Sequence, residues 1–228
     1  MSRLALRRDP TAALRAAYGT TAASNPALIA SGRGYELSSL GGLTAWRIGL
    51  FAAVIAALMN IFLVIRHTRA DEETGRTELV GSAIVGRRAA LSSALTVAGL
   101  ANLTLVVLLT AALSMNGLPL PGSLALALSI GLAGAAFACI AAVVAKCATT
   151  ARGATGAASA ILGVAFLVRA AGDLADNGVG WLSPIGWVTR LRPFADERWE
   201  VLGAVRQARR CRGRWVSGPS SLPARGRR

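Results

Sequence analysis

The sequence predicts an all-α membrane protein, a polytopic bundle of about four transmembrane helices. Apolar residues make up 54% of the chain and charged residues only 16%, which is less charge than a soluble domain of 228 residues carries. The charge is also unevenly spread, since residues 89–145 form a run of 57 residues without one Asp, Glu, Lys or Arg. A helix needs about 20 apolar residues to cross the core of a bilayer. The lipid bilayer is therefore the first partner that the sequence predicts.

The first 42 residues are predicted not to span the membrane. They are rich in Ala, Ser, Gly and Arg, and no uninterrupted apolar run of spanning length occurs before residue 43. The pair Asn25 and Pro26 indicates a turn. Residues 1–42 are therefore predicted to be an N-terminal non-spanning segment, and residues 43–171 a transmembrane helical domain.

Four candidate spans lie in that domain, and each has a feature that places it. Trp46 suits the start of the first span, and Asn60 is its one strongly polar side chain, expected to bond to a neighbouring helix rather than to a ligand. Two prolines and two glycines predict a turn at residues 116–122. Arg169 lies near the end of the fourth span, where its long side chain is expected to reach the interface. The predicted spans are residues 43–65, 90–115, 123–145 and 155–171.

The basic residues of the loops predict the orientation of the spans. Residues 66–88 carry five arginines and residues 146–152 carry two basic residues, whereas residues 116–122 and 172–183 carry none. Basic loops are retained on the cytoplasmic side. The first two loops are therefore predicted to be cytoplasmic and the other two external.

The chain beyond the spans divides into two predicted parts. Residues 172–200 are predicted to be an external interfacial segment, in which Asp173 and Asp176 meet water. Pro184, Trp187 and Trp199 are typical of an interface anchor, and the alternative is a re-entrant helix that guards the external mouth. Residues 201–228 are predicted to be a basic, disordered tail.

The basic tail alone suggests nucleic acid or anionic lipid as a partner. Residues 206–228 hold eight arginines and no acid. The rest of the chain has 17 basic and 11 acidic residues, which is a net charge of +6. Because more than half of the net charge of +14 lies in these last 23 residues, nucleic acid is not predicted as a partner of the rest of the chain.

No catalytic, cofactor-binding or metal site is predicted. His67 is the only histidine, the three cysteines form no CxxC pair, and the acids cluster in loops. The sequence has no GxxxxGK[ST] loop, and its only lysine, Lys146, is followed by cysteine. The chain is therefore predicted not to be an enzyme, and no cofactor is expected.

The charged segment between the first two spans, residues 66–88, reads RHTRADEETGRTELVGSAIVGRR. Glu72 and Arg76 have the i, i+4 spacing, acid first, that stabilises a helix. This pattern predicts a short cytoplasmic helix that another protein can bind. The alternative is a solvated loop that only sets the topology.

This segment, with the two alanines that follow it, resembles the first cytoplasmic segment of actinobacterial ABC-type exporter permeases, the group often labelled polyketide-antibiotic exporters. Two further stretches are similar to the same family, GGLTAWRIG at residues 41–49 and SPIGWVTRLRPFADERW at residues 183–199. The resemblance implies that a separate ABC ATPase subunit docks on a coupling helix here. The candidate contacts that it implies are Glu72, Glu73, Arg76, Glu78 and Leu79.

The resemblance also implies a multi-pass protein of the plasma membrane that couples ATP hydrolysis to efflux of a small, antibiotic-like molecule, together with a second permease half or copy. Family members are usually longer and have two halves, so the chain is expected to be a truncated or frameshifted copy of part of one half, inactive alone. The alternative is a small ATP-independent membrane protein, either a secondary transporter or a scaffold. Buried ionisable residues near span centres would favour the transporter, and the sequence predicts none.

Overall fold

A computed structural model of the chain describes residues 39–70, 89–175 and 178–195, together with Ala17, Asn25, Gly34 and Leu37. Most of the predicted N-terminal segment and the whole predicted tail lie outside the described residues. The five candidate coupling contacts also lie outside them, namely Glu72, Glu73, Arg76, Glu78 and Leu79.

Four long helices confirm the predicted all-α bundle. Each is long and apolar enough to cross a membrane. A π-helical turn at Arg66–Ala70 continues the first helix, and a 3-10 turn at Gly178–Leu182 precedes a short fifth helix, α5, at Gly186–Arg190. The long helices are α1 (Leu40–Ile65), α2 (Ala89–Met115), α3 (Leu120–Cys147) and α4 (Ala151–Leu174).

Side-chain caps explain why two helices begin earlier than hydropathy predicts. Ser39 Oγ accepts a hydrogen bond of 2.9 Å from the N–H of Gly42, which fixes the start of α1. Thr150 Oγ1 accepts one of 3.1 Å from the N–H of Gly153, so α4 starts at Ala151. A charged side chain such as Arg152 lowers the hydropathy of a segment without ending the helix.

The predicted turn at residues 116–122 is too long by about one helical turn. α3 begins at Leu120, so Pro121 and Gly122 lie in its first turn rather than in the loop. Proline is tolerated there because the first N–H groups of a helix have no intrahelical acceptor. The chain reverses instead at Gly117, whose φ of 81° is a left-handed conformation that suits glycine.

The four long helices run alternately up and down. At one end of the bundle, Phe194 packs against both Gly41 of α1 and Gly122 of α3. At the other end, Arg69 Nε donates a 2.6 Å hydrogen bond to the carbonyl of Ala145. α1 and α3 are therefore parallel, with α2 and α4 running in the opposite direction. The first end is called the cap end and the second the arginine end.

α1 and α3 form the centre of the bundle, with α2 against α3 and α4 against both central helices. Small residues at this interface let the two backbones approach closely. The outer faces of α2 and α4 expose large apolar side chains, as lipid contact requires. The buried face of α1 carries Leu50, Ala53, Ala57, Ile61 and Val64, and that of α3 carries Leu126, Ile130, Ala133, Phe137 and Ala141.

Candidate functional site

The arginine end holds the start of the predicted coupling segment firmly against the bundle. Thr68 Oγ1 donates a 2.7 Å hydrogen bond to the carbonyl of Val64, which ties the π-helical turn back to α1. Arg69 reaches across to the carbonyl of Ala145, in the last turn of α3. The last carbonyls of a helix lack intrahelical donors, and a cation is favourable there. Arg69 therefore joins the start of the charged segment to the end of α3.

The two basic loops lie at the same end of the bundle. The described part of the charged segment ends at Ala70 and α2 begins at Ala89, while Lys146 lies in the last turn of α3 next to the start of α4. The predicted orientation requires this grouping. The five candidate contacts, including Glu73 and Glu78, lie between these points and outside the described residues.

A reciprocal pair of amides joins α1 to α2 inside the bundle. Asn102 Nδ2 donates to Asn60 Oδ1 at 2.8 Å, and Asn60 Nδ2 donates to Asn102 Oδ1 at 3.1 Å. The second hydrogen of each amide goes to a backbone carbonyl one turn earlier, at Ala56 and Ala98. All four N–H groups are thus satisfied, which is what a buried polar pair in lipid requires. The prediction that Asn60 bonds to a neighbouring helix is confirmed.

A glycine of the third helix, α3, packs directly against this amide pair. A Cβ atom at Gly134 would lie 2.5 Å from Oδ1 of Asn102 and 2.7 Å from Nδ2 of Asn60. Real side chains do not approach so closely, so only glycine fits here. The amide pair therefore fixes the relative position of three helices.

The fourth span carries a buried ion pair, which corrects two predictions. Arg169 is 0% exposed and does not extend to the interface, and its Nη1 lies 3.3 Å from Oδ2 of Asp173. Asp173 is 6% exposed and belongs to α4, not to a solvated loop. The guanidinium of Arg169 also lies 5.2 Å from the ring centroid of Phe166. The reason is tertiary: the chain after α4 folds back over this end of the helix.

That returning chain, residues 178–195, is called the cap segment. A Cβ atom at Gly172 of α4 would collide with the backbone N–H of Gly180, and one at Gly186 would lie 3.4 Å from Cγ of Arg169. Within the cap segment, the guanidinium of Arg190 lies 5.3 Å from the ring centroid of Trp181. The cap segment therefore contacts α4 through glycine backbone, directly beside the ion pair.

The other side of the cap segment is apolar and packs on α1 and α3. Ile185, Val188 and Leu191 are buried, and a Cβ atom at Gly49 of α1 would lie 3.2 Å from Cγ1 of Val188. Phe194 has a φ of 65°, an uncommon conformation for a bulky residue, and it brings the ring against α1 and α3. The segment predicted to be an interface anchor is thus packed on the bundle, although Trp187 is only half-buried.

Sequence reasoning missed Asn102 and the pairing of Arg169 with Asp173, although both left a signal. Asn102 is an isolated amide in a long uncharged run, and Arg169 and Asp173 are an opposite-charge pair at i, i+4 beside an apolar helix. Cys139 and Cys147 are free thiols. Across the three described stretches, no group of three His, Cys, Asp or Glu side chains is placed to hold a metal ion.

Four helices that can cross a membrane, with an amide pair buried between two of them and an ion pair buried on a third, define a multi-pass membrane protein. Residues 11–205 match the family described as the C-terminal domain of the multidrug efflux system permease Rv1217c. The chain is also 38% identical over 193 residues to the multidrug efflux system permease protein Rv1217c of Mycobacterium tuberculosis. The chain belongs to this family of efflux permeases, which confirms the resemblance seen in the sequence.

The aligned residues are 85% of this chain but 35% of the mycobacterial relative. The chain thus spans about a third of that relative's length. Family and fold together identify a multi-pass protein of the plasma membrane that belongs to a family of efflux permeases.

Proposed function

We propose that the chain is a membrane-spanning part of an ABC exporter permease, which couples ATP hydrolysis by a separate ATPase subunit to efflux of a small, antibiotic-like molecule. It works together with a second permease half or copy. The ATPase docks on residues 66–88, where Glu72, Glu73, Arg76, Glu78 and Leu79 are the candidate contacts. The relative is named as a multidrug efflux permease, which supports the efflux role.

The hydrogen bond from Arg69 to Ala145 is the observation that carries the coupling role. A loop that only sets topology needs positive charge but no fixed position. Here the start of the charged segment is bonded both to α1, through Thr68, and to α3, through Arg69. A force applied to the segment by a docked partner would reach the two central helices together.

Charge reversal in the coupling segment tests the proposal. The double variant Glu73→Arg, Glu78→Arg is expected to abolish co-purification of the cognate ATPase, because like charges at an interface cost several kcal/mol, enough to lose a micromolar complex. Membrane insertion should persist, since a more basic loop prefers the cytoplasm even more strongly. The comparison is made at matched amounts of permease.

A control variant adds basic charge to the same segment without removing an acid, and it raises the net charge by 2 where the reversal raises it by 4. The variant Thr77→Arg, Ser82→Arg is expected to retain most of the ATPase. Unchanged recovery with the reversal variant would overturn the docking role, and equal loss in both variants would attribute the effect to basicity alone.

A second candidate function is an ATP-independent secondary transporter. The observation that supports it is the buried Arg169–Asp173 pair, although this pair lies near the end of its span and not at the centre. Ionisable residues inside a span often line the path of a proton or a substrate. Efflux from membrane vesicles separates the two candidates. Dependence on ATP that persists when an ionophore collapses the proton gradient supports the exporter, and the reverse pattern supports the secondary transporter.

A further inference from the structure

We propose that the cap segment is a hinged lid over the cap end of the bundle, held shut by the buried Arg169–Asp173 ion pair. The lid would control the exit of cargo, and only that statement rests on the proposed export function. The closure itself is a property of the described residues, and it is tested without ATPase or cargo.

The hinge side of the lid is its apolar attachment to the central helices. Ile185, Val188 and Leu191 are almost fully buried. The ring of Phe194 packs against Gly41 and Gly122, and a Cβ atom on either glycine would collide with it. Exposing these side chains to water is unfavourable in proportion to their apolar area. This side therefore stays attached when the lid moves.

The latch side is the contact with α4, which is made of glycine backbone over a charge pair. Gly180 meets Gly172, and Gly186 lies over the stem of Arg169. In the 3-10 turn at this edge, the apolar side chains of Val179, Trp181 and Leu182 are 41%, 42% and 79% exposed, so they bury only part of their surface in the closed state. Lifting the edge would expose Arg169 and Asp173, which water solvates well.

The energetics of a buried ion pair make such a latch reversible. Closing the lid takes both charges out of water, and their mutual attraction roughly compensates for the lost hydration. Open and closed states can then be close in free energy, as a gate requires. Removing one partner changes the balance, because closure would bury an uncompensated charge. Removing both partners leaves neither of these two charges to bury.

Ser183 provides an internal reporter of closure. Its side chain is 1% exposed, and its Oγ has no hydrogen-bond partner among the residues that the structure describes. Ser183→Cys is therefore a small change that breaks no observed bond. Leu182→Cys is the matched control, since Leu182 is the adjacent residue of the lid and is 79% exposed.

The experiment measures the rates at which maleimide labels the full chain in lipid nanodiscs. Both faces of the membrane are accessible to the reagent there, so the orientation of the protein in the bilayer does not affect the result. Both reporters are made after Cys139, Cys147 and Cys211 are replaced by alanine. Labelling is normalised to the total thiol accessible in denaturant, which corrects for the amount of protein recovered. Each reporter is combined with Asp173→Asn, with Arg169→Gln, and with the apolar double variant Arg169→Met, Asp173→Leu.

Ser183→Cys is expected to react at least about tenfold more slowly than Leu182→Cys in the otherwise unaltered chain, as burial of a thiol dictates. Either single neutralisation should raise its rate about tenfold, because one unpaired charge now favours the open lid. The apolar double variant should return the rate to that of the closed lid. The Leu182→Cys rate should not change in any variant.

Three results would overturn the proposal. Equal rates at both reporters would mean that no closed lid exists, and an unchanged Ser183→Cys rate after both single neutralisations would mean that the pair is no latch. Fast labelling in the apolar double variant would attribute opening to altered packing rather than to unpaired charge. Asp173→Asn and Arg169→Gln are both used, so that if one variant protein is recovered poorly, the other still tests the proposal.

Discussion

The two buried polar pairs of this bundle solve the same problem in opposite ways. Asn60 and Asn102 are neutral and join α1 to the middle of α2. Two hydrogen bonds link the amides to each other, and two more go from them to backbone carbonyls. Arg169 and Asp173 are charged, lie in the last two turns of α4, and are shielded by a segment that returns from outside the four-helix core.

The two pairs differ in what happens when one partner is substituted. The amides are buried among three long helices, with Gly134 of α3 directly against them. The ion pair lies under the cap segment, so a charge left alone there can regain water if that segment lifts. The neutral pair should therefore be the more sensitive to substitution, although charged groups interact more strongly.

The largest effect is expected at the glycine beside the amide pair. Gly134→Val places methyl groups where Asn60 and Asn102 now meet, so it should separate the helices or break the reciprocal bonds. We expect a loss of about 3 kcal/mol in the free energy of unfolding, the upper range for overpacking. Reversible unfolding by SDS in bicelles measures it, and a loss smaller than that of Asn102→Ala would contradict this account.

Removing one amide should have the next largest effect. Asn102→Ala leaves the amide of Asn60 buried without its partner on α2, at an expected cost of about 1–2 kcal/mol. The double variant Asn60→Ala, Asn102→Ala should cost less than the sum of the two single variants, because residues in contact are coupled. Strict additivity in the same unfolding assay would show that the amides act independently.

Neutralising the ion pair should cost less than either change at the amides. Asp173→Asn is expected to lower the free energy of unfolding by about 1 kcal/mol or less, since the remaining arginine can be rehydrated, whereas a partner removed from a rigidly buried pair costs about 3–5 kcal/mol. Unfolding is measured as above. A loss in the higher range would identify the pair as part of a fixed core and contradict the hinged cap segment.

The smallest effect is expected at a glycine with open surroundings. Gly156 on α4 has no atom within 4 Å of the position of a Cβ, so Gly156→Val should change the free energy of unfolding by less than about 0.5 kcal/mol. This variant is the matched control for Gly134→Val. A large loss here would indicate that the exposed face of α4 contacts something other than lipid.

Hydropathy and loop charge were enough to predict the four spans, since crossing a bilayer demands a length of apolar helix that few other structures need. The helix ends differed by a few residues because they depend on hydrogen bonds to Ser39 and Thr150, which hydropathy does not record. Asn60 was predicted to bond to another helix, but its partner among the polar residues of the later spans was not identifiable from one sequence.

Arg169 and Asp173 were misplaced for a different reason. Their own positions near the end of an apolar helix favoured contact with water, and only the return of residues 178–195 over α4 removes that water. The coupling contacts at Glu72, Glu73, Arg76, Glu78 and Leu79 stay predictions, since they lie outside the described residues.

The sequence by itself determined that this protein lies in a bilayer, where the four described spans lie and which loops are basic, because these depend on apolar length and net charge along the chain. The tertiary structure decided which polar groups meet. Examples are the hydrogen bond from Arg69 to the carbonyl of Ala145 and the pairing of the Asn60 and Asn102 side chains. It also decided that the charges of Arg169 and Asp173, near the end of α4, are buried and not exposed to solvent. Those outcomes depend on contacts between residues far apart in the chain, and local composition carries no record of them.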